Sequence, residues 1–399
     1  MLRSMLILLT GGLFAQLFPL LLSPFLARVY DQEQFGLLAN VVATATVISI
    51  IATLRLEFAF LKLKNKRLRR SLVNYITLQS IVISFVLTSV YASMSSMTVF
   101  EALLIWIVAL FLSNVQILNN FWNSEGLFKE ISTLRAIQSI TISIFALILG
   151  LVGFYHGLIY PYIIASLFLL VFTFQHLSPS FKVLKIQAIS RFLIRSKKYI
   201  IWSTASDSIN AGYNIGLFAL LSLYFQPAEV GIFFLATRVL RSPITLFNQT
   251  LSNIYIAHVA KIDIYSVNHI KYIFLIQFIA ALFTAIYLFA LSFMDGFWII
   301  IFGSNWEGLA DYILILWFYL LANSAYTSIS QVANWMQLQR LLFFFNLINL
   351  LITIILMITT NYSLLDFLEV HSYFLGTMFL CLNFYVILQI WRQIHEKAY

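Results

Sequence analysis

The amino-acid sequence predicts an all-α polytopic membrane protein of about twelve transmembrane helices, arranged as two parallel repeats of six. Three observations predict this fold. Hydrophobic residues make up 61% of the 399 positions and charged residues only 10%, whereas an average soluble domain is about 25% charged. Apolar runs of about 20 residues, the length that crosses a bilayer, recur along the whole chain. One sequence pattern in the first half also returns in the second.

The apolar runs are predicted to be helices rather than the strands of a barrel. A transmembrane strand needs about 10 residues of alternating polarity, and a run such as YIIASLFLLVFTF shows no such alternation. In chain order, the predicted spans are residues 4–28, 34–61, 72–93, 99–122, 133–154, 157–175, 199–224, 231–257, 271–293, 308–330, 341–360 and 370–391.

Positive charge predicts the orientation of these spans. All the lysines and all but four of the arginines lie in the two tails and in alternate loops, and loops rich in Lys and Arg face the cytoplasm. Both termini are therefore predicted to be cytoplasmic. The net charge of +9 is explained by this pattern and by contact with anionic membrane lipids. It gives no reason to expect nucleic acid as a partner.

The chain repeats one pattern at an offset of 195 residues. VYDQEQFGLLANVV links the first span to the second, and YFQPAEVGIFFLAT links the seventh to the eighth. Aligning Gly36 with Gly231 also sets Tyr30 on Phe225. Since each repeat has an even number of spans, both copies point the same way across the membrane. The predicted organisation is a first six-helix lobe at residues 1–175, a basic cytoplasmic linker at 176–198 and a second six-helix lobe at 199–399.

Three stretches of the sequence resemble a known family. AQLFPLLLSPFLARVYDQEQFG followed by LRLEFAF, and later GIFFLATRVLRSPITLF, are similar to the Wzx-type O-antigen and oligosaccharide flippases of the multidrug/oligosaccharidyl-lipid/polysaccharide exporter superfamily. The resemblance implies two six-helix bundles around a central cavity lined by spans 1, 2, 7 and 8. It also implies transfer of an undecaprenyl-pyrophosphate-linked oligosaccharide across the bacterial cytoplasmic (inner) membrane, for O-antigen, lipopolysaccharide or other surface polysaccharide. Other polysaccharide-assembly membrane proteins are possible partners on the same ground.

Polar side chains are concentrated in stripes on some spans. On the eighth span, Arg238 and Arg241 share a helix face that Gln249 continues. The other stripes are Asn210 and Asn214 with Asp207 on the seventh span, Asn119 and Asn123 on the fourth, and Asn323 and Gln331 on the tenth. Such stripes are typical of a wet interior enclosed by helices that face lipid. The alternative is that the amides bind neighbouring helices together.

Four arginines lie within or at the end of predicted spans: Arg28, Arg55, Arg238 and Arg241. A charge at mid-bilayer costs about 2.5–3.5 kcal/mol even on insertion scales, so it usually faces a cavity. Given the resemblance, these guanidinium groups are expected to bind the pyrophosphate of the substrate, which guanidinium matches with two parallel hydrogen bonds. The alternatives are that Arg55 reaches the cytoplasmic headgroups and that Arg28 anchors the outer ones.

Two acids lie nearest to the middle of a span, Glu57 and Asp207. Arg55 and Glu57 are two residues apart, so a continuous helix would point them to different sides and prevent them from neutralising each other. Each acid is therefore expected to be a counter-ion to some cavity arginine. The alternative is a site for H+ or Na+ if transport is coupled to an ion gradient.

Several function classes are excluded or disfavoured. No lysine follows a glycine, so a Walker A phosphate loop is absent, and the single Cys381 and the spacing of the histidines give no metal or cofactor site. A multidrug or cation antiporter of the same superfamily remains an alternative, although a cavity for organic cations ought to be acidic. A polysaccharide polymerase or ligase is a weaker one, because no outer loop is long enough to carry catalytic residues.

Overall fold

A computed structural model of the chain describes residues 2–61, 66–95, 97–176, 204–205, 208–259, 267–293, 295–306, 308–330, 332, 336, 338–359 and 363–398. Within these residues every regular element is a helix. The α-helices are α1 Leu2–Val29, α2 Gln32–Thr53, α3 Lys66–Met94, α4 Val99–Glu125, α5 Phe128–Leu151, α6 Tyr160–His176, α7 Leu217–Tyr224, α8 Pro227–Val259, α9 Val267–Ser292, α10 Asp295–Phe302, α11 Leu309–Thr327, α12 Gln339–Thr359 and α13 Leu364–Ala398. Two 3-10 helices span Leu56–Leu61 and Ser304–Trp306, and residues 208–214 are also helical.

The prediction of an all-helical polytopic membrane protein is confirmed. Ten helices of the described residues are long and apolar enough to cross a bilayer. The sixth predicted span corresponds to α6, which is shorter, and the seventh lies partly outside the described residues. The full number of twelve spans remains a prediction.

The chain divides into two compact units, Met1–Gly231 and Ile232–Tyr399. In the first unit α1 packs along α5, and α2 and α3 pack against α4. In the second unit α11 packs against α9 and α13, and α13 also packs against α12. Apart from its first residue, the predicted linker at 176–198 lies outside the described residues, so that boundary stays a prediction.

Local sequence signals explain where helices begin and end. Thr98 and Glu101 form a reciprocal cap at the start of α4, in which the Glu101 carboxylate accepts from the Thr98 amide at 2.9 Å and the Thr98 hydroxyl accepts from the Glu101 amide at 3.3 Å. Gly126 ends the same helix with a φ of 75°, the left-handed conformation that glycine adopts at low cost.

The end of the second predicted span is wrong. The apolar run suggests a helix over residues 34–61, but α2 ends at Thr53. Leu54 and Arg55 then adopt left-handed φ values of 49° and 53°, and the chain continues as the 3-10 helix Leu56–Leu61. We call residues 54–61 the α2–α3 turn. Two consecutive non-glycine residues in this conformation are uncommon and are found where tertiary contacts hold them.

The two glycines aligned by the sequence repeat lie in a reciprocal contact within the first unit. A Cβ atom added to Gly36 would lie 1.9 Å from the carbonyl oxygen of Pro227, and one added to Gly231 would lie 1.9 Å from the carbonyl oxygen of Gln32. Gln32 and Pro227 are themselves separated by the repeat offset of 195. Small residues allow helix backbones to approach this closely. The starts of α2 and α8 therefore meet through equivalent positions of the repeat.

Candidate functional site

Arg55 and Glu57 form an ion pair, contrary to the expectation that they point to different sides. Nη1 of Arg55 lies 3.4 Å from Oε1 of Glu57. The expectation assumed a continuous helix, and the α2–α3 turn replaces that helix with a left-handed bend that brings the two side chains together. The guanidinium group also lies 5.3 Å from the centroid of the Phe58 ring, within the range of a cation–π contact.

Neighbouring elements hold the α2–α3 turn in place. The Thr204 hydroxyl donates to the Leu54 carbonyl at 2.7 Å, and the Gln79 amide donates to the Ala52 carbonyl at 3.0 Å. These carbonyls lie in the last turn of α2 and at the residue that follows it, where intrahelical donors are missing. The side chains of the turn insert into a cluster formed with α3 and α4, whose largest members are Phe60, Phe111, Phe121 and Trp122.

The two members of the ion pair differ in their exposure. Glu57 is fully buried, whereas 18% of the Arg55 side chain remains exposed. Oε2 of Glu57 has no hydrogen-bond partner within the part of the chain that the structure describes. Burial raises the pKa of the Glu57 carboxyl above its ordinary value, while hydrogen bonding and the Arg55 charge act in the opposite direction. Glu57 is therefore a buried carboxylate supported by one long ionic contact with Arg55 and by hydrogen bonding.

In the second unit, the predicted stripe on α8 packs against α11. Arg241, which is half-buried, donates a hydrogen bond to the hydroxyl of Tyr319 and lies 5.2 Å from the centroid of the Tyr319 ring. The Asn323 amide donates to the same hydroxyl at 2.9 Å. Arg238 is also half-buried. Tyr319 is thus a partner that links Arg241 to Asn323, and the periodicity of polar residues did not reveal it because tyrosine counts as apolar in such a pattern.

A buried polar network joins α8, α9 and α11 in the second unit. Asn248 donates to the Thr327 hydroxyl at 3.1 Å and accepts from the Ser324 hydroxyl at 3.1 Å. Thr284 of α9 donates to Ser324 at 2.8 Å. Ser324 and Thr284 are almost completely buried. The sequence pattern predicted Gln249 as a site residue and missed Asn248. The two amides are adjacent in the sequence, and only the structure shows that Asn248 is the one that faces the neighbouring helices.

We expect Asn248→Ala to lower the stability of the second unit and Gln249→Ala to leave it nearly unchanged. The first change removes two buried hydrogen bonds, and interhelical hydrogen bonds in membranes contribute about 0.6 kcal/mol each on average. Gln249 is exposed. The unfolding temperatures of the two purified variants in detergent provide the measurement. Equal unfolding temperatures would contradict the assignment of Asn248 to the network.

The remaining predicted residues that the structure describes all lie in the first unit. Arg28 is exposed near the end of α1, and Asn123 near the end of α4 is exposed as well. Oδ1 of Asn119 is buried and has no hydrogen-bond partner among the described residues. The Asn214 amide donates to Oδ1 of Asn210 at 2.7 Å. Asp207 and Gln331 lie outside the described residues.

The described residues contain no group of three or more His, Cys, Asp or Glu side chains placed to hold a metal ion. The chemistry that they offer is that of guanidinium, amide and hydroxyl groups in a helical membrane protein. Arginine guanidinium binds carboxylate or phosphate oxygens, and the amides and hydroxyls are suited to sugars.

The fold and these side chains define an all-helical polytopic membrane protein. The sequence matches the polysaccharide biosynthesis protein family over residues 1–255, and the chain belongs to that family. Its fold matches that of the lipid II flippase MurJ in an inward closed conformation, with a TM-score of 0.70 at 15% sequence identity over 98% of this chain and 90% of MurJ.

A second structural match is weaker. The inward-facing conformation of a multidrug resistance MATE family transporter of the MOP superfamily gives a TM-score of 0.43 at 17% identity, over 98% of this chain and 95% of the transporter. No curated protein matched the sequence.

Proposed function

We propose that the chain is a flippase that moves an undecaprenyl-pyrophosphate-linked oligosaccharide from the cytoplasmic to the periplasmic leaflet, for synthesis of O-antigen or another surface polysaccharide. The observation that carries the proposal is the placement of arginine side chains in helices, or directly after a helix, of a polysaccharide biosynthesis family member with a MurJ-like fold. Lipid II, the cargo in the name of MurJ, is also a lipid-linked saccharide.

The arginines suit the head group of such a lipid. A pyrophosphate carries negative charge at the junction between the lipid and the sugar, and guanidinium binds phosphate oxygens in a two-pronged geometry. Arg55 is partly exposed beside the end of α2, and Arg28 is exposed near the end of α1. Arg238 and Arg241 are two further half-buried arginines, which lie in the second unit. The amides of Asn119, Asn123, Asn210, Asn214, Asn323 and Gln249 are proposed to contact the sugars.

The proposed transport cycle is alternating access. The charged head group binds to the protein while the lipid tail stays in the membrane, because transfer of the tail through a polar passage would forfeit about 0.8 kcal/mol per methylene. We place the protein in the bacterial cytoplasmic membrane with both termini in the cytoplasm. A coupling ion, H+ or Na+, and other polysaccharide-assembly proteins are the proposed further partners.

The test is deletion in the native host, followed by chemical identification of the lipid-linked saccharide that accumulates on the cytoplasmic side. We expect accumulation together with loss of surface polysaccharide, and reversal of both by the wild-type chain. Arg238→Ala is expected to fail in this complementation. Arg340→Ala, which removes an equal charge from an exposed position at the start of α12, is expected to succeed.

Two outcomes would contradict the proposal. One is the absence of any accumulated lipid-linked saccharide in the deletion strain. The other is increased sensitivity of that strain to organic cations with normal surface polysaccharide, which would instead indicate a multidrug antiporter. Equal complementation by Arg238→Ala and Arg340→Ala would remove the role given to Arg238.

A further inference from the structure

We propose that the Arg55–Glu57 pair is an exchange site, at which an incoming phosphate group displaces the Glu57 carboxylate from Arg55 and Glu57 takes up a proton. This inference rests on the proposed function, since it takes the pyrophosphate of the substrate as the displacing anion. It adds a means of coupling substrate binding to protons within a single turn of the chain.

The geometry of the pair favours exchange. Strong guanidinium–carboxylate contacts are two-pronged, with distances of about 2.7–2.9 Å, whereas here a single contact of 3.4 Å joins Nη1 to Oε1. The Arg55 side chain is 18% exposed and Glu57 is fully buried. An anion can therefore reach Arg55 from the exposed side and replace the Glu57 carboxylate as the partner of the guanidinium group.

The surroundings of Glu57 explain why it would take up a proton after losing Arg55. The α2–α3 turn packs into an apolar cluster that includes Leu72, Ile76 and Trp122. Oε2 of Glu57 already lacks a hydrogen-bond partner among the described residues. A carboxylate buried without a cation is costly, and such a group usually becomes neutral instead.

Among the residues that the structure describes, the charged groups of the packed elements do not offer Glu57 a second cation. Within the described residues, Arg55 is the one charged group that acts electrostatically on Glu57. On α3 and α4, the basic Arg69 lies 3.1 Å from Glu125 and is thereby already paired. Lys66 is paired with the same carboxylate at 3.7 Å. The titratable Tyr75 packs against the cluster, and the Thr53 side chain contributes a neutral hydrogen bond to Glu57.

Exchange has a defined proton balance. Before binding, Glu57 is ionised and neutralises Arg55. After binding, the phosphate oxygens neutralise Arg55, and Glu57 holds a proton taken from solution. Because a proton enters with the anion, binding becomes tighter as the pH falls, and the proton must leave Glu57 when the anion departs.

The test compares the wild-type protein with Glu57→Gln, using inorganic pyrophosphate as the probe. Titration calorimetry of each purified protein in two buffers of different ionisation enthalpy gives the number of protons exchanged on binding. Protons released by pyrophosphate itself are common to both proteins and cancel in the difference. We expect the wild type to take up about one more proton per pyrophosphate than Glu57→Gln, so its affinity should fall about tenfold more per pH unit of increase.

Further measurements test whether the Glu57 carboxylate is the group that takes up the proton. Glu57→Gln should bind pyrophosphate more tightly than the wild type near neutral pH, because the competing carboxylate is gone. Glu57→Asp retains a carboxylate and should retain the extra proton uptake. Glu33→Gln removes an exposed acid at the start of α2 and should match the wild type.

Equal proton uptake by the wild type and Glu57→Gln would overturn the exchange. So would weaker pyrophosphate binding by Glu57→Gln, if Glu57→Asp binds pyrophosphate as the wild type does. In either case, if Arg55→Ala still abolishes pyrophosphate binding, the proposed flippase function stands and only the role of Glu57 fails. If the wild type binds no pyrophosphate, the exchange fails together with the proposed recognition of the head group.

Discussion

Gly36→Ala is expected to abolish surface polysaccharide and to lower the unfolding temperature of the purified protein. The added Cβ would lie 1.9 Å from the carbonyl oxygen and 2.7 Å from the carbonyl carbon of Pro227. These are backbone atoms at the first residue of α8, so a side-chain rotation cannot relieve the clash. Overpacking of this kind costs about 1–3 kcal/mol. The closely packed start of α2 and α8 would therefore separate.

The reciprocal contact gives this prediction an internal check. Gly231→Ala meets the Gln32 carbonyl oxygen at the same 1.9 Å and should have the same effect. The double variant should be little worse than either single one, because both changes disrupt one contact. Gly296→Ala is the matched control, since nothing lies within 4 Å of its added Cβ. A Gly36→Ala protein that behaves like Gly296→Ala would contradict the close approach.

The apolar composition and the lack of alternating polarity were sufficient to predict the helices, because within a membrane few other structures supply hydrogen bonds to every backbone N–H and C=O group. They were insufficient for the α2–α3 turn. The run from Leu54 to Leu61 is apolar except for Arg55 and Glu57, and it has no glycine or proline to end a helix. The left-handed bend at Leu54 and Arg55 is instead held by donors distant in sequence, such as Thr204 and Gln79. A local pattern does not contain such contacts.

The candidate site was also predictable only in part. The cost of charge in a membrane was enough to single out Arg55 and Arg241 from the sequence. Their partners were not predictable, because helical spacing shows which residues share a face but not which neighbour meets that face. The ion pair of Arg55 depends on the bend, and the bond of Arg241 depends on the placement of Tyr319 on α11.

For the aligned glycines, the sequence showed the match but not its structural cause. The repeat was visible in the sequence as a match between Gly36 and Gly231, and a shared turn in each copy would have explained it. Neither glycine has a positive φ. What requires glycine at both positions is the absence of space for a Cβ atom, which arises only when the two copies meet.

Arg55→Ala is expected to abolish surface polysaccharide and also to destabilise the protein, for two separate reasons. Loss of the guanidinium removes a proposed ligand of the pyrophosphate. It also leaves the fully buried Glu57 without its cation, and an uncompensated buried charge costs on the order of 3 kcal/mol. Loss of function in this variant alone would therefore not separate binding from folding.

The double variant Arg55→Ala with Glu57→Gln separates the two reasons. Glutamine removes the buried charge, so the unfolding temperature should return toward that of the wild type, while surface polysaccharide should remain absent because the ligand is still missing. Arg55→Lys should restore display in part, since lysine keeps the charge but loses the two-pronged geometry. Recovery of full display by the double variant would show that Arg55 serves only to neutralise Glu57, and the arginine would lose its place in substrate recognition.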